Sequence, residues 1–116
     1  MARQNNSHRR ALEKIAMHPD KFGFEKVTRY AIEETLLHKG RIIAQPDVVF
    51  RLENGDIHII EYKGFGNGEL LERARKQLEN AKWWYGRYNE DLCPSNIHTH
   101  IISGDDPKYK GLLRNG

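Results

Sequence analysis

Apolar positions along the chain repeat with two periods, and the change from one to the other marks the expected elements. Over 7–17, Leu12, Ile15 and Ala16 form a narrow stripe at helical spacing, and Ser7 is placed to cap the first turn. The run His18, Pro19, Asp20 should end that helix, because proline biases the residue before it away from helical angles. The spacing predicts a second helix over 24–38. At about 100° per residue, Phe24, Val27, Tyr30, Ala31 and Leu37 share one side, with Glu34 near its middle and Gly40 as a stop. A carboxylate at that point should face inward.

The period then shortens. Residues 41–44 suit a short strand and 47–52 a better one, followed by Asn54 and Gly55, a strong signal for a tight hairpin turn. Over 57–63 the alternation sends Ile57, Ile59, Glu61 and Lys63 one way, and His58, Ile60 and Tyr62 the other. A glycine-rich loop at 64–68 leads to a long helix over 69–88. Its stripe is Leu70, Leu71, Ala74, Leu78, Ala81, Trp84, Tyr85 and Tyr88, with Gln77 inside it. After a turn at 91–96, residues 97–102 read as a last strand, and the polar tail from Ser103 is expected to be loosely held. Helices interleaved with hairpin-linked strands imply an α/β fold, a mixed sheet flanked by helices.

A length of 116 residues leaves room for a single core. Within it, 1–22 reads as a basic N-terminal helix or arm, 23–104 as the core and 105–116 as a tail. The formal net charge of +3 is compatible with a polyanionic partner without requiring one. Cys93 is the only cysteine, which rules out an intrachain disulfide and a four-thiolate zinc site and suits a reducing compartment. No apolar run is long enough to span a membrane, and 1–10 lacks the hydrophobic segment of a signal peptide, so a cytoplasmic protein is expected.

Three residues carry the candidate chemistry. Asp47 begins one strand and Glu61 nearly ends its hairpin partner, so the antiparallel return should bring the two carboxylates together. Oxygen ligands on adjacent strands suit Mg2+, which keeps positions open for water and phosphate. Lys63 lies about 7 Å beyond Glu61 on the same face. From there its ammonium could orient the attacking water and stabilise charge developing on a phosphodiester. Whether it also removes the water's proton stays open.

Pro46-Asp47 followed by Glu61-Tyr62-Lys63 resembles the signature of the PD-(D/E)XK nuclease superfamily, whose core is that of restriction endonucleases. The resemblance covers roughly 24–102. It implies a Mg2+-dependent deoxyribonuclease, with Mn2+ as a substitute, in which Asp47 and Glu61 hold the metal and Lys63 orients or activates the water. The family's upstream helix supplies an accessory Glu, matched here by Glu34 with Glu33 as the fallback, so Glu34 is expected to be a third metal ligand. Several branches also carry a Gln on the helix after the lysine strand, and Gln77 resembles it. A tyrosine four residues on would complete that motif; this chain has Ala81 there, and Tyr85 stands one turn further along. The stretch ahead of Asp47 is short, so the first core strand is expected to be abbreviated or paired with another subunit.

A chain this small offers little surface for gripping a duplex, so a homodimer is expected, with Arg9, Arg10, Arg73 and Lys76 tracking the DNA backbone. The alternative is a nucleic-acid-binding module of the same fold without turnover. His98 and His100 alternate on one strand face but lack a clear third ligand, and an ordinary strand face accounts for them.

Overall fold

The computed structural model describes residues 6–65, 67–89 and 92–114. In chain order these form helix α1 (Asn6–Met17), a 3-10 turn (Pro19–Phe22), strands β1 (Val27–Ile32), β2 (Leu36–His38), β3 (Arg41–Ala44), β4 (Val48–Leu52) and β5 (Ile57–Lys63), helix α2 (Gly68–Tyr88), a second 3-10 turn (Pro94–Asn96), strand β6 (Ile97–Ser103) and helix α3 (Pro107–Arg114). A four-stranded sheet runs in the order β1-β4-β5-β6, and β2 and β3 form a separate hairpin.

Asn54 and Gly55 turn the chain between β4 and β5. Gly55 takes φ 92°, and Asn54 Oδ1 accepts from the Asp56 N–H at 2.9 Å, the local bond that makes asparagine a turn residue. The turn sets an antiparallel register with Val48 opposite Ile60 and Arg51 opposite Ile57. β6 returns through α2 to lie parallel to β5, with His58 beside His98 and Lys63 beside Ser103. A parallel neighbour needs such a crossover, and α2 is the crossover helix.

Both faces of the central strands are covered, which is why Val48, Val49 and Phe50 in β4 and Ile57, Ile59 and Ile60 in β5 are all buried. On one face Val48, Phe50, Ile60 and Ile102 pack against Leu12, Ile15, Phe22 and Phe24. On the other, Val49, Ile57, Ile59 and Ile97 pack against Leu78, Ala81 and Tyr85 of α2 and against Leu36 and Ala44 of the small hairpin. Leu12 and Ile15 are fully buried, and each contributes about 1.5–3 kcal/mol by leaving water, so α1 belongs to the core and does not hang from it as an arm.

Residues 24–38 form no helix. Lys26 and Glu33 take φ 59° and 52°, breaking helical geometry at both ends of the segment, and the stretch between them is β1. Val27, Thr28, Tyr30 and Ile32 are β-branched or aromatic residues suited to a pleated surface, and main-chain pairing with β4 decides the outcome. Gly40 is no helix stop either. With Lys39 it makes a turn of two left-handed residues, φ 51° and 78°, the geometry that closes two-residue hairpins. The first core strand is thus complete and pairs within its own chain. The tail also differs from expectation: α3 packs Tyr109, Leu112 and Leu113 against the α1 side of the core. Ser7 lies inside α1 and does not precede it. Among the described residues no helix is long and apolar enough to cross a membrane.

Candidate active site

Asp47 directly precedes β4, and the Val48–Ile60 pairing sets it beside Glu61 in β5. The two residues are 8% and 4% exposed, the buried acids among the described residues. Each is fixed by the other strand's backbone. The Asp47 N–H donates to Glu61 Oε2 at 2.8 Å, and the Tyr62 N–H donates to Asp47 Oδ2 at 2.7 Å. Burial and then the negative charge of Asp47 push Glu61 up to about 8, against the opposing pull of the Asp47 N–H and the Lys63 charge. Without a cation, burial and like charge therefore favour a proton on the Asp47–Glu61 pair. Lys63 is half-buried, two residues along the same strand face, and near enough for its charge to act on Glu61.

A fourth group arrives from α1. His8 Nε2 lies 3.3 Å from Asp47 Oδ1, and its ring sits 5.7 Å from that of Tyr62. Sequence reasoning missed this residue because histidine in a basic segment carries no pattern of its own. A signal did exist: His8, Leu12 and Ile15 follow the i, i+4, i+7 spacing of one helix face, so His8 continues the stripe that α1 buries.

Gln77 reaches the site through the backbone. Its Oε1 accepts from the Gln45 N–H at 3.1 Å, and Gln45 Nε2 in turn donates to Glu33 O and Thr35 Oγ1. The residues leading into Pro46 and Asp47 are thereby anchored to α2.

Glu34 does not join the pair. With β1 extended, it falls on an exposed loop after the strand, where its Oε1 accepts from the Tyr85 hydroxyl at 3.0 Å. Both residues line an open cleft of about 560 Å³ shared with Arg51, Trp84 and Tyr88. Its burial and the Glu34 charge push the Tyr85 hydroxyl well above its usual range. The fallback, Glu33, stands closer: its N–H donates to Asp47 O at 2.9 Å, but its carboxylate takes Arg9 Nη1 at 2.8 Å. Among the described residues no third histidine or acid joins Asp47 and Glu61 as a cluster of ligand atoms within 4.8 Å of one another.

The four cations expected to meet DNA are split between two layers. On α1, Arg9 is paired with Glu33 and Glu13, while Arg10 is exposed. On α2, Arg73 pairs with Glu69 one turn away at 3.0 Å, and Lys76 is exposed. Of the aromatic residues on α2, Tyr85 is buried, Trp84 donates from Nε1 to Leu37 O at 2.7 Å, Trp83 is exposed beneath Arg87, and Tyr88, expected in the apolar stripe, is exposed as well.

No protein-family model, curated protein or solved structure matches this chain.

Proposed function

We propose that the chain is a metal-dependent endonuclease of the PD-(D/E)XK nuclease superfamily, built on a restriction-endonuclease-like core and hydrolysing phosphodiester bonds in DNA. The observation that carries this reading is the reciprocal docking of Asp47 and Glu61. Two buried acids side by side, one pushed up to about 8, are costly to the fold when both are ionised, and a cation would offset that cost. The donor set fits Mg2+, a hard cation that takes carboxylate oxygens. The backbone holds Asp47 Oδ2 and Glu61 Oε2, so Asp47 Oδ1 and Glu61 Oε1 would be the ligands. A cation bound there neutralises phosphate charge and acidifies a water.

The chain's own residues supply the rest. Lys63 brings a positive charge to the same strand face, where it orients a water and meets negative charge developing on the phosphate. Gln77 holds Gln45, and through it the backbone of Asp47, so the acid cannot drift from Glu61. Arg10 and Lys76, exposed on α1 and α2, are suited to phosphate contacts. A second copy would supply the grip on duplex that one copy lacks.

Purified protein with Mn2+ or Mg2+ is expected to cut at least one of duplex, single-stranded, flap or four-way-junction DNA. Asp47→Ala and Lys63→Ala should abolish cleavage while circular dichroism stays unchanged. Salt-sensitive DNA binding with neither metal uptake nor cleavage would overturn the enzyme in favour of a binding module of the same fold.

A further inference from the structure

The strand-face histidines have the partners that the sequence left unseen. β5 and β6 run parallel in a register that sets His58 beside His98, so both rings emerge on the α1 face of the sheet. They stack at 4.5 Å between centroids, 15° from parallel. The hairpin turn before β5 adds Asp56, whose Oδ2 lies 3.2 Å from His98 Nε2. One ligand atom from each of Asp56, His58 and His98 lies within 4.8 Å of the others, the one such trio among the described residues.

We propose that Asp56, His58 and His98 form a second metal site, suited to Zn2+ and separate from the carboxylate pair. Two imidazoles and one carboxylate are a borderline-soft donor set that suits zinc and poorly suits Mg2+. In a tetrahedral zinc site with bonds of about 2.0–2.1 Å, neighbouring ligand atoms stand roughly 3.3 Å apart. The His98–Asp56 distance of 3.2 Å already meets that spacing, and the His58 ligand atom lies within 4.8 Å of both, its ring having to turn out of the stack to share an ion.

Ligands bound to zinc are held from behind by further hydrogen bonds, and Asp56 and His58 are so held. Asn96 Nδ2 donates to Asp56 Oδ1 at 3.0 Å, leaving Oδ2 to face His98. His58 Nδ1 lies 2.8 Å from His100 Nε2, and in the tautomer in which His58 Nδ1–H donates to His100, His58 Nε2 has a lone pair for the ion. The edge of Phe24 packs on both His58 and His100 and fixes their planes. The His98 side chain is 39% exposed, so an ion can enter from solvent, and a water completes the coordination.

Such an ion joins three pieces of chain that only tertiary structure brings together: the β4–β5 turn, β5 and β6. Zinc therefore clamps the parallel strand pair at the end remote from Lys63.

Calorimetric titration of the full chain with ZnCl2 tests the site, carried out on Asp47→Asn/Glu61→Gln so that the carboxylate pair cannot take the ion. The expected result is one Zn2+ bound per chain and a raised melting temperature. His98→Gln, chosen because that side chain is partly exposed and its loss is mild, should weaken binding by at least ~10-fold, and His100→Gln by ~10–100-fold through the orientation of His58. Co2+ in place of Zn2+ should give the intense visible absorption of a four-coordinate centre. Circular dichroism without metal checks that each variant folds. Failure of the double variant to take up Zn2+, or unchanged affinity in His98→Gln, would overturn the site, and neither result bears on DNA cleavage.

Discussion

Asp47 and Glu61 are held side by side by the backbone and against their like charges: the Asp47 N–H bonds Glu61 Oε2 at 2.8 Å across the β4–β5 pair. The bond fixes the geometry of two buried acids whose negative charges would repel, so the pair is strained when both are ionised and favours a bound proton. Glu61 accordingly binds its proton more tightly in the folded chain than in the unfolded chain, at about 8 against 4.5.

That difference gives the metal-free protein a pH dependence of known sign. A carboxyl whose folded value is raised contributes its stability below the unfolded value and loses it as pH climbs through the folded one. Stability in EDTA should therefore fall between pH 4.5 and pH 8. Glu61→Gln mimics the protonated acid and keeps the acceptor for the Asp47 N–H. It should be more stable to urea than the parent at pH 8, by about 1–2 kcal/mol, and should lose the melting-temperature rise that Mg2+ is expected to give the parent on the proposed reading. A variant less stable than the parent at pH 8 would contradict the strained pair.

His8 occupies the Asp47 oxygen that a cation would need. The contact is long for a hydrogen bond, so His8→Ala should cost only about 0.5–1 kcal/mol of metal-free stability. It should also tighten Mg2+ binding a few-fold, because no donor then has to be displaced from Asp47 Oδ1. Calorimetry on both proteins measures the pair of effects. Weaker Mg2+ binding in the variant would mean that His8 helps to hold the site and does not compete for it.

Gly104 closes the chain against the end of β5. Its N–H donates to Lys63 O at 2.7 Å, and a Cβ at this position would stand 2.5 Å from Tyr62 Oη and 2.8 Å from Gly64 O. The tyrosine tip can swing away, but the backbone carbonyl cannot. Gly104→Ala should cost about 1–3 kcal/mol and shift Lys63, so cleavage should fall further than stability alone explains. Activity measured well below the melting point separates the two effects.

The legible parts of this fold and site are those set by short-range pattern. Alternation in 57–63 put Glu61 and Lys63 on one face, and Asn54-Gly55 fixed the register that brings Asp47 to Glu61. β1 was illegible because Phe24, Val27, Tyr30, Ala31 and Leu37 satisfy a helical period by coincidence, while the left-handed Lys26 and Glu33 that forbid a helix leave no mark in composition. Glu34 was misplaced with the helix that carried it. His8 and the Asp56–His58–His98 trio depend on which strands and helices become neighbours. Only the β5–β6 register, set by the packing of α2, places residue 58 beside residue 98.

The histidine cluster should make itself felt in acid. Burial, then His58 and His98, push His100 down to about 4 from 6.5, and burial lowers His58 as well. Asp56 opposes this for His58, while His98 adds to it. The unfolded chain takes up protons near pH 6.5 that the folded chain refuses until about pH 4, so the stability present above 6.5 is lost as pH falls through that window. Glu61 has the opposite slope over much of the same range, and the measurement therefore belongs in the Glu61→Gln background, in EDTA. Urea midpoints there should fall between pH 7 and pH 4.5 by the equivalent of ~1–2 kcal/mol, a figure reduced for the partial exposure of His100. Adding His100→Gln should flatten the slope, because glutamine fills the place without titrating. An unchanged slope would show that the acid sensitivity lies elsewhere in the chain.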